Sequence, residues 1–82
     1  MEKRIGTVTL LILDRERSSE INSVISEFAD IVLCRQGLPF RDRNVAVISL
    51  IVEGNPDRIN ALTGRLGRLG GVQSKAVLTN AS

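Results

Sequence analysis

Residues 44–53 read Asn-Val-Ala-Val-Ile-Ser-Leu-Ile-Val-Glu, the most apolar run in the sequence. Its β-branched content predicts a strand, and side chains alternate between the two faces of a strand. One face carries Ala46, Ile48, Leu50 and Val52, and the other carries Val45, Val47 and Ile51. A strand that is buried on one side only alternates with polar residues. We therefore predict a central strand with other groups packed against both of its faces.

The length of 82 residues predicts a single domain, residues 1–82. A domain of this size buries only about 60% of its unfolded surface, so its core is thin. Self-association is a usual remedy for a thin core. The net charge of +2 is too small to indicate a nucleic-acid partner by itself, although the pI of about 9.3 permits one.

The sequence predicts a soluble cytoplasmic protein that makes no membrane contact. A lone cysteine, Cys34, allows no internal disulfide and fits a reducing compartment. The apolar segment after the charged start is too short to span a bilayer and lacks a signal-cleavage site. Residues 80–82 are expected to form a frayed tail.

The first half of the chain predicts a strand, a helix and a second strand. The strand covers residues 5–13 and the helix runs from residue 15 to about residue 29, with apolar side chains at helical spacing. Asp14 fits the helix N-cap, and Ser18 is an alternative. The second strand covers residues 30–37. Residues 37–43 contain Gly37 and Pro39, which predict a loop or a bulged hairpin arm.

The second half predicts the central strand, a helix and a final strand over residues 72–79. Asn55 and Pro56 fit the N-cap and first position of the helix, and Gly70-Gly71 fits its C-cap. The element order predicts an α+β, ferredoxin-like βαββαβ fold. In that fold two helices cover one face of a four-stranded antiparallel sheet and leave the other face open.

Residues 64–71 are rich in glycine. A phosphate-binding loop places its glycines between a strand and the start of a helix. Here Gly64 and Gly67 lie within the predicted helix, so we expect close helix-to-sheet packing and a C-cap.

No residue pattern indicates catalysis, a metal site or a cofactor. The chain has no His and one Cys, whereas a catalytic Cys needs a base and a metal site needs several ligands. We expect Cys34 to be a small buried apolar group in its strand. The carboxylates are better explained as helix caps and surface charges.

Arg35, Arg41 and Arg43 cluster around the predicted loop. Arginines bind carboxylate or phosphate in a two-pronged fork, but a solvated hairpin end explains the cluster equally well. RNA-binding sheets of this topology present aromatic side chains on their central strands, and residues 5–13 and 44–53 contain none. Nucleic-acid binding by this chain alone is therefore not expected.

A motif links this sequence to a known family. The run Arg35-Gln36-Gly37-Leu38-Pro39-Phe40-Arg41 and the strand after it resemble a small family named as iron-only hydrogenase system regulators. The segments at residues 62–67 and 71–72 and the start at residues 1–4 are also similar. The resemblance implies an ACT-like, ferredoxin-like regulatory domain. It brings no catalytic residue and no defined ligand, and the chain lacks the His-rich nickel site of the related repressors.

The resemblance also suggests where an effector binds. ACT-like domains often bind ligands where the first strand turns into the first helix, at a subunit interface. Here that turn contains Asp14 and Arg15, whose free backbone N–H groups suit an anionic or amino-acid-like group. Arg35 and Arg41 are candidates for a charged clamp. Asp14 serving only as a cap is the alternative.

Together these observations predict a small non-enzymatic regulator. We expect it to form a homodimer or higher homo-oligomer and to bind a small effector or a protein partner. A nucleic-acid-binding or enzyme-accessory domain that uses the arginine loop is the alternative. An enzyme with this fold is a weaker alternative, because His and paired acids are missing.

Overall fold

A computed structural model describes residues 2–79, so the tail predicted at residues 80–82 lies outside the described residues. The strands are β1 (Arg4–Ile12), β2 (Val32–Phe40), β3 (Val45–Gly54) and β4 (Val72–Leu78). The helices are α1 (Ser18–Glu27) and α2 (Pro56–Gly67), with 3-10 turns at Arg15–Arg17 and Arg41–Arg43. None of the helices in residues 2–79 is long and apolar enough to cross a membrane.

The four strands form one sheet in the order β2-β3-β1-β4, and every neighbouring pair is antiparallel. This is the predicted ferredoxin-like arrangement, which the structure confirms. β1 and β3 are the two central strands, so the apolar run that predicted a central strand does occupy one.

The core lies between one face of the sheet and the two helices. Leu50 and Val52 of β3 are fully buried there, together with Leu10 of β1. The helices contribute the buried side chains Ile21, Val24, Ile25, Ile59, Leu62 and Leu66. The prediction for one face of β3 is therefore confirmed, since its alternate apolar residues all contact the core.

The start of α1 differs from the prediction. The Asp14 side chain accepts a hydrogen bond from the Glu16 N–H at 3.0 Å, so it caps the 3-10 turn that precedes the helix. The Ser18 hydroxyl donates to the Arg15 carbonyl at 2.9 Å, so Ser18 does not cap α1 either. A tight turn thus takes up the three residues before α1, and the helix ends at Glu27 rather than near residue 29.

Of the two alternatives predicted for residues 37–43, a loop or a bulged hairpin arm, the structure shows a hairpin arm over the first four residues, without a bulge there. Residues 37–40 continue β2 and pair with β3, with Pro39 opposite Ala46. Because β2 is an edge strand, it tolerates a residue without an N–H group. The bulge lies earlier, between Val32 and Cys34. Cys34 is exposed, which corrects the expectation of a buried thiol: the helices cover neither side of this part of the edge strand.

The start of α2 is as predicted. The Asn55 side chain accepts a hydrogen bond from the Arg58 N–H at 2.8 Å, and Pro56 opens the helix. The end of α2 differs from the predicted C-cap at Gly70-Gly71, because the helix already stops at Gly67. Gly71, with φ of +77°, lies in the turn before β4. Close packing does not explain Gly64, because a Cβ there would meet no atom within 4 Å.

Candidate functional site

The face of the sheet opposite the helices carries most of the exposed apolar side chains. We call it the open face. Its exposed large side chains are Ile5, Leu11, Leu38, Phe40, Ile51 and Val77. Val77 is 71% exposed and Ile51, on a central strand, is 42% exposed. The second apolar face of β3 is therefore not covered by anything in residues 2–79.

The strand register divides the open face into three zones. A polar row crosses all four strands, because Ser49 is paired with Gln36 and Thr9, and Thr9 is paired with Lys75. On one side of this row lies an apolar zone around Leu11, Val47 and Leu38. On the other side lies an apolar zone around Ile51 and Val77. Two apolar zones thus flank a polar row near the middle of the face.

A shallow cavity lies in the first apolar zone. It has a volume of about 370 Å³ and lies over β2 and β3. Leu38, Phe40 and Val47 supply its apolar lining, and Gln36 and Ser49 supply polar groups at one end. This cavity could accept an apolar side chain or an apolar part of a ligand.

The turn after β1, at residues 13–16, packs tightly against the turn before β4. The Leu13 N–H donates to the Gly71 carbonyl at 2.7 Å, and Arg17 Nε donates to the Gly70 carbonyl at 3.2 Å. A Cβ placed on Gly71 would lie 2.6 Å from the Asp14 Cβ. Asp14 is therefore a packed structural residue as well as a cap.

Arg17 places a positive charge beside the carboxylates of Asp14 and Glu20 in this region. Its Nη1 lies 2.7 Å from Glu20 Oε1, and its Nε lies 3.7 Å from Asp14 Oδ2. The hydrogen bond and charge of Glu20 raise the pKa of Arg17. The Asp14 carboxylate therefore already has a cation and an N–H group beside it.

The predicted effector residues do not form one cluster. Arg35 lies in β2 opposite Leu50, on the helix side of the sheet, and lines a small hollow beside α1. Arg41 lies in the 3-10 turn and lines a separate groove with Phe40 and Arg43. Arg15 lies in the turn before α1. Within residues 2–79, no hydrogen bond or ion pair joins Asp14 to Arg35 or Arg41.

Sequence reasoning missed a set of arginine–carboxylate pairs that join the two helices. Arg58 contacts Asp30 at 2.7 Å and donates to the Glu27 carbonyl at 3.0 Å. Arg65 binds both Glu27 carboxylate oxygens, at 2.8 and 2.9 Å. Both guanidinium groups lie over the Phe28 ring, at 4.3 Å for Arg58 and 5.7 Å for Arg65.

These pairs shift the acid–base properties of their carboxylates. The hydrogen bond and charge of Arg65 lower the pKa of Glu27, and the hydrogen bond from Arg58 lowers the pKa of Asp30. The partners lie 28 and 38 residues apart in sequence, so no local pattern indicates them. The Arg65–Glu27 pair joins α2 to α1, and the Arg58–Asp30 pair joins α2 to the turn after α1, so both pairs are structural.

Metal ligands do not gather in the part of the chain that the structure describes: no group of three or more His, Cys, Asp and Glu side chains lies together there. The expectation that the protein needs no metal stays a prediction.

Comparison with solved structures shows how widely the fold occurs. The C-terminal domain of the MgtC protein from Mycobacterium tuberculosis superposes with a TM-score of 0.72 at 11% identity, over 96% of this chain and 92% of that chain. An unknown protein from Galdieria sulphuraria gives a TM-score of 0.65 at 14% identity, over 96% of this chain and 46% of that one. At these identities the likeness concerns the fold alone. No curated protein matches the chain.

A family model and one solved structure match much more specifically. The TM1266-like family, described as "Iron-only hydrogenase system regulator, putative", matches residues 4–76. The uncharacterized protein TM1266 from Thermotoga maritima superposes with a TM-score of 0.89 at 36% identity, over 96% of this chain and 100% of that chain. Residues 4–76 contain the open face except for Val77, and they contain the run from Arg35 to Arg41. The chain therefore belongs to the TM1266-like family of iron-only hydrogenase system regulators.

Proposed function

We propose that this protein is a non-catalytic regulatory module that pairs with a second copy through the open face and responds to a small effector or a protein partner. The observation that supports this proposal is the pair of exposed apolar zones on the open face of a sheet whose other face packs its core against the helices. Apolar patches of this kind on soluble proteins mark interaction surfaces.

The energetics favour covering this face. A large apolar side chain left in water forfeits about 1.5–3 kcal/mol relative to full burial. Leu38 is 57% exposed and Ile51 is 42% exposed, so roughly half of that gain remains available at each position. A symmetric dimer would bury the open face of both copies and so gain this free energy on each, and dimers are the commonest closed assembly. A partner copy rotated about an axis near the polar row would bring apolar zones into contact.

The chemistry of the chain supports a role without catalysis. General acid–base catalysis near neutral pH uses His, or a carboxylate or Lys with a shifted pKa. The chain has no His. Glu27 and Asp30 have lowered pKa values because arginines bind them, which makes them weaker bases. Membership of a family of regulators agrees with this proposal.

The proposed effector is small and anionic. Arg15, Arg35 and Arg41 are exposed cations: Arg15 follows β1, Arg35 lies within β2 and Arg41 follows β2. Asp14 is assigned the role of cap, since its carboxylate already contacts Glu16 N–H and Arg17. A protein partner with an acidic surface would use the same arginines.

The test is the mass of the protein in solution. Sedimentation equilibrium at micromolar concentration is expected to give the dimer mass for the wild-type chain. Ile51→Glu should raise the dimer dissociation constant by more than about a hundredfold, because an unpaired buried carboxylate costs several kcal/mol. Ser23→Glu, on the exposed side of α1, is the matched control and should leave the dimer intact.

Three results would overturn the proposal or one of its parts. A monomeric wild-type protein at micromolar concentration would remove self-association, and an Ile51→Glu protein that still dimerises would move the interface elsewhere. Turnover of a substrate by the isolated protein would remove the non-catalytic role.

The nucleic-acid alternative rests on Arg41 and Arg43, which are exposed in the 3-10 turn of the hairpin. Phosphate contacts make binding fall steeply with salt. A salt-dependent mobility shift of DNA or RNA that is lost in Arg43→Gln would favour this alternative.

A further inference from the structure

The helices leave part of the inner side of β2 uncovered. The register places Arg35 opposite Leu50 and Gly37 opposite Ile48, so both lie on the helix side of the sheet. Leu50 and Ile48 are buried beneath the helices, yet Arg35 and Gly37 are exposed. A cleft therefore remains between α1 and the edge strand.

This cleft contains a hollow with a volume of about 100 Å³, which we call the α1–β2 hollow. Three buried isoleucines and three polar side chains line it. The isoleucines are Ile12, Ile21 and Ile48, and the polar residues are Ser18, Asn22 and Arg35. The lining combines a hydrocarbon floor, one cation, one amide and one hydroxyl.

Arg35, the cation in the hollow, differs from the two arginines of α2 and from Arg17 of the turn before α1. Arg17, Arg58 and Arg65 each pair with a carboxylate at 2.7–2.8 Å. Within residues 2–79, Arg35 takes part in no ion pair and no side-chain hydrogen bond. No Asp or Glu lines the hollow, so its charge is positive and uncompensated.

The other polar groups complement Arg35. The Ser18 hydroxyl hydrogen is used by the Arg15 carbonyl, at 2.9 Å, which leaves the oxygen as an acceptor. The Asn22 amide makes no hydrogen bond within residues 2–79, so it can donate two and accept one or more. A ligand that fits these groups needs an acceptor-rich anionic end and a short apolar part.

We propose that the α1–β2 hollow binds the carboxylate end of a small aliphatic organic acid. The planar guanidinium of Arg35 matches a carboxylate in a two-pronged fork, and Asn22 donates a third hydrogen bond. The short hydrocarbon chain packs against the three isoleucines. A volume of about 100 Å³ equals about three water molecules at roughly 30 Å³ each, which suits a carboxylate with a short tail.

A carboxylate fits this hollow better than a phosphate does. A phosphate carries about two negative charges and commonly meets several cations or a row of backbone N–H groups. Here one arginine stands above a hydrocarbon floor. This inference rests on the proposed function, because it names the chemical class of the effector and places it at Arg35 rather than at Asp14.

The experiment is an NMR titration of the ¹⁵N-labelled full chain at constant ionic strength. The probe is sodium propionate, and propionamide is its neutral counterpart. Propionate should shift the amide signals of residues 18–22 and 35 in a saturable manner, and propionamide should not. Arg35→Gln should weaken propionate binding at least about tenfold, since hydrogen bonds to charged groups are the strong ones. Asn22→Ala should weaken it about threefold, and the matched control Arg43→Gln should leave it unchanged.

Several outcomes would overturn the inference: shifts that do not saturate, shifts centred on residues 41–43, equal binding of propionamide, or undiminished binding in Arg35→Gln. Inorganic phosphate binding tighter than propionate would overturn the carboxylate assignment. Asn22→Ala keeps the arginine, so it tests the hollow even where Arg35→Gln alters the fold. The mass of the wild-type protein is measured separately, so failure at the hollow leaves the proposed self-association standing and the reverse also holds.

Discussion

Gly71→Ala is expected to destabilise the protein more than Gly70→Ala, the same substitution at the neighbouring glycine of the turn before β4. Gly71 has φ of +77°, in the left-handed region that side chains with a Cβ disfavour. A Cβ there would also lie 2.6 Å from the Asp14 Cβ and 3.3 Å from the Asp14 backbone nitrogen. Neither of these atoms can rotate away, because each is fixed directly to the main chain.

The magnitude follows from two contributions. A residue with a Cβ in the left-handed region costs roughly 1–2 kcal/mol. Forcing an extra methyl into a packed site typically costs about 1–3 kcal/mol. Relief of the clash would move the two turns apart and break the Leu13–Gly71 hydrogen bond, which is 2.7 Å long. We expect a loss of about 2–4 kcal/mol in the free energy of unfolding, which is large against the 5–15 kcal/mol typical of domains.

Urea unfolding followed by circular dichroism measures this loss, at one protein concentration because self-association adds to apparent stability. Gly70→Ala is the control: its Cβ would lie 3.4 Å from Arg17 Nη2, the mobile end of a side chain. It should change stability by less than about 1 kcal/mol. If Gly71→Ala unfolds within 0.5 kcal/mol of Gly70→Ala, the assigned packing of the Asp14 turn is wrong.

Three further predictions concern the helices. Gly64→Ala should raise the unfolding free energy by up to about 1 kcal/mol, because Gly64 is in a helix interior with open space beside it. A lower unfolding free energy in this variant would contradict the open position of Gly64 in α2. Asn55→Ala should lower it by about 0.5–2 kcal/mol through loss of the N-cap, whereas Asn55→Asp should keep the cap. The pKa of Glu27 is lower in the folded protein than in the unfolded chain. The Arg65–Glu27 pair therefore contributes its full stabilisation above the pKa of an unfolded Glu, and this stabilisation is lost as the pH falls through the folded-state pKa. Arg65→Gln should remove this part of the acid sensitivity in urea titrations across pH, and an unchanged pH profile would count against the pair.

The sequence predicted the order of the sheet well because the apolar composition of β3 indicates a central strand. A strand with two apolar faces fits only the middle of a sheet, and β3 lies there between β1 and β2. The caps at Asn55 and Pro56 were also readable, since they depend on contacts within one helical turn. The start of α2 was therefore predicted correctly, whereas the start of α1 was displaced by a 3-10 turn.

The sequence left the end of β2 open between a loop and a hairpin arm, because the position of the strand in the sheet decides its structure. Gly37 and Pro39 are breaker signals in most contexts, and in a central strand Pro39 would remove a ladder hydrogen bond. At an edge the same residue is tolerated, and β2 continues to Phe40. The exposure of Cys34 follows from the same edge position. A local pattern contains no information on whether a strand has one neighbour or two.

The role of Arg35 as an effector residue stays a prediction. Its place in the second strand was predicted correctly, since β2 contains it, but the sequence did not indicate that it faces the helix side of the sheet. Arg17, Arg58 and Arg65 were missed, because their partners are brought to them by the fold. Their ion pairs make these three arginines poorer candidates for ligand binding, because an arginine that already binds a carboxylate is less available to a ligand.

The two proposed surfaces share one strand. Alternate residues of β2 face opposite sides, so Arg35 lines the α1–β2 hollow while Gln36 and Leu38 line the cavity on the open face. β2 has a strand neighbour on one side only and contains a bulge between Val32 and Cys34, so fewer backbone hydrogen bonds hold it than hold β3. An occupant of the hollow that fixes Arg35 against α1 would restrict the strand that also carries Leu38. Any coupling between acid binding and self-association must act equally in both directions, and β2 is the element through which it would pass.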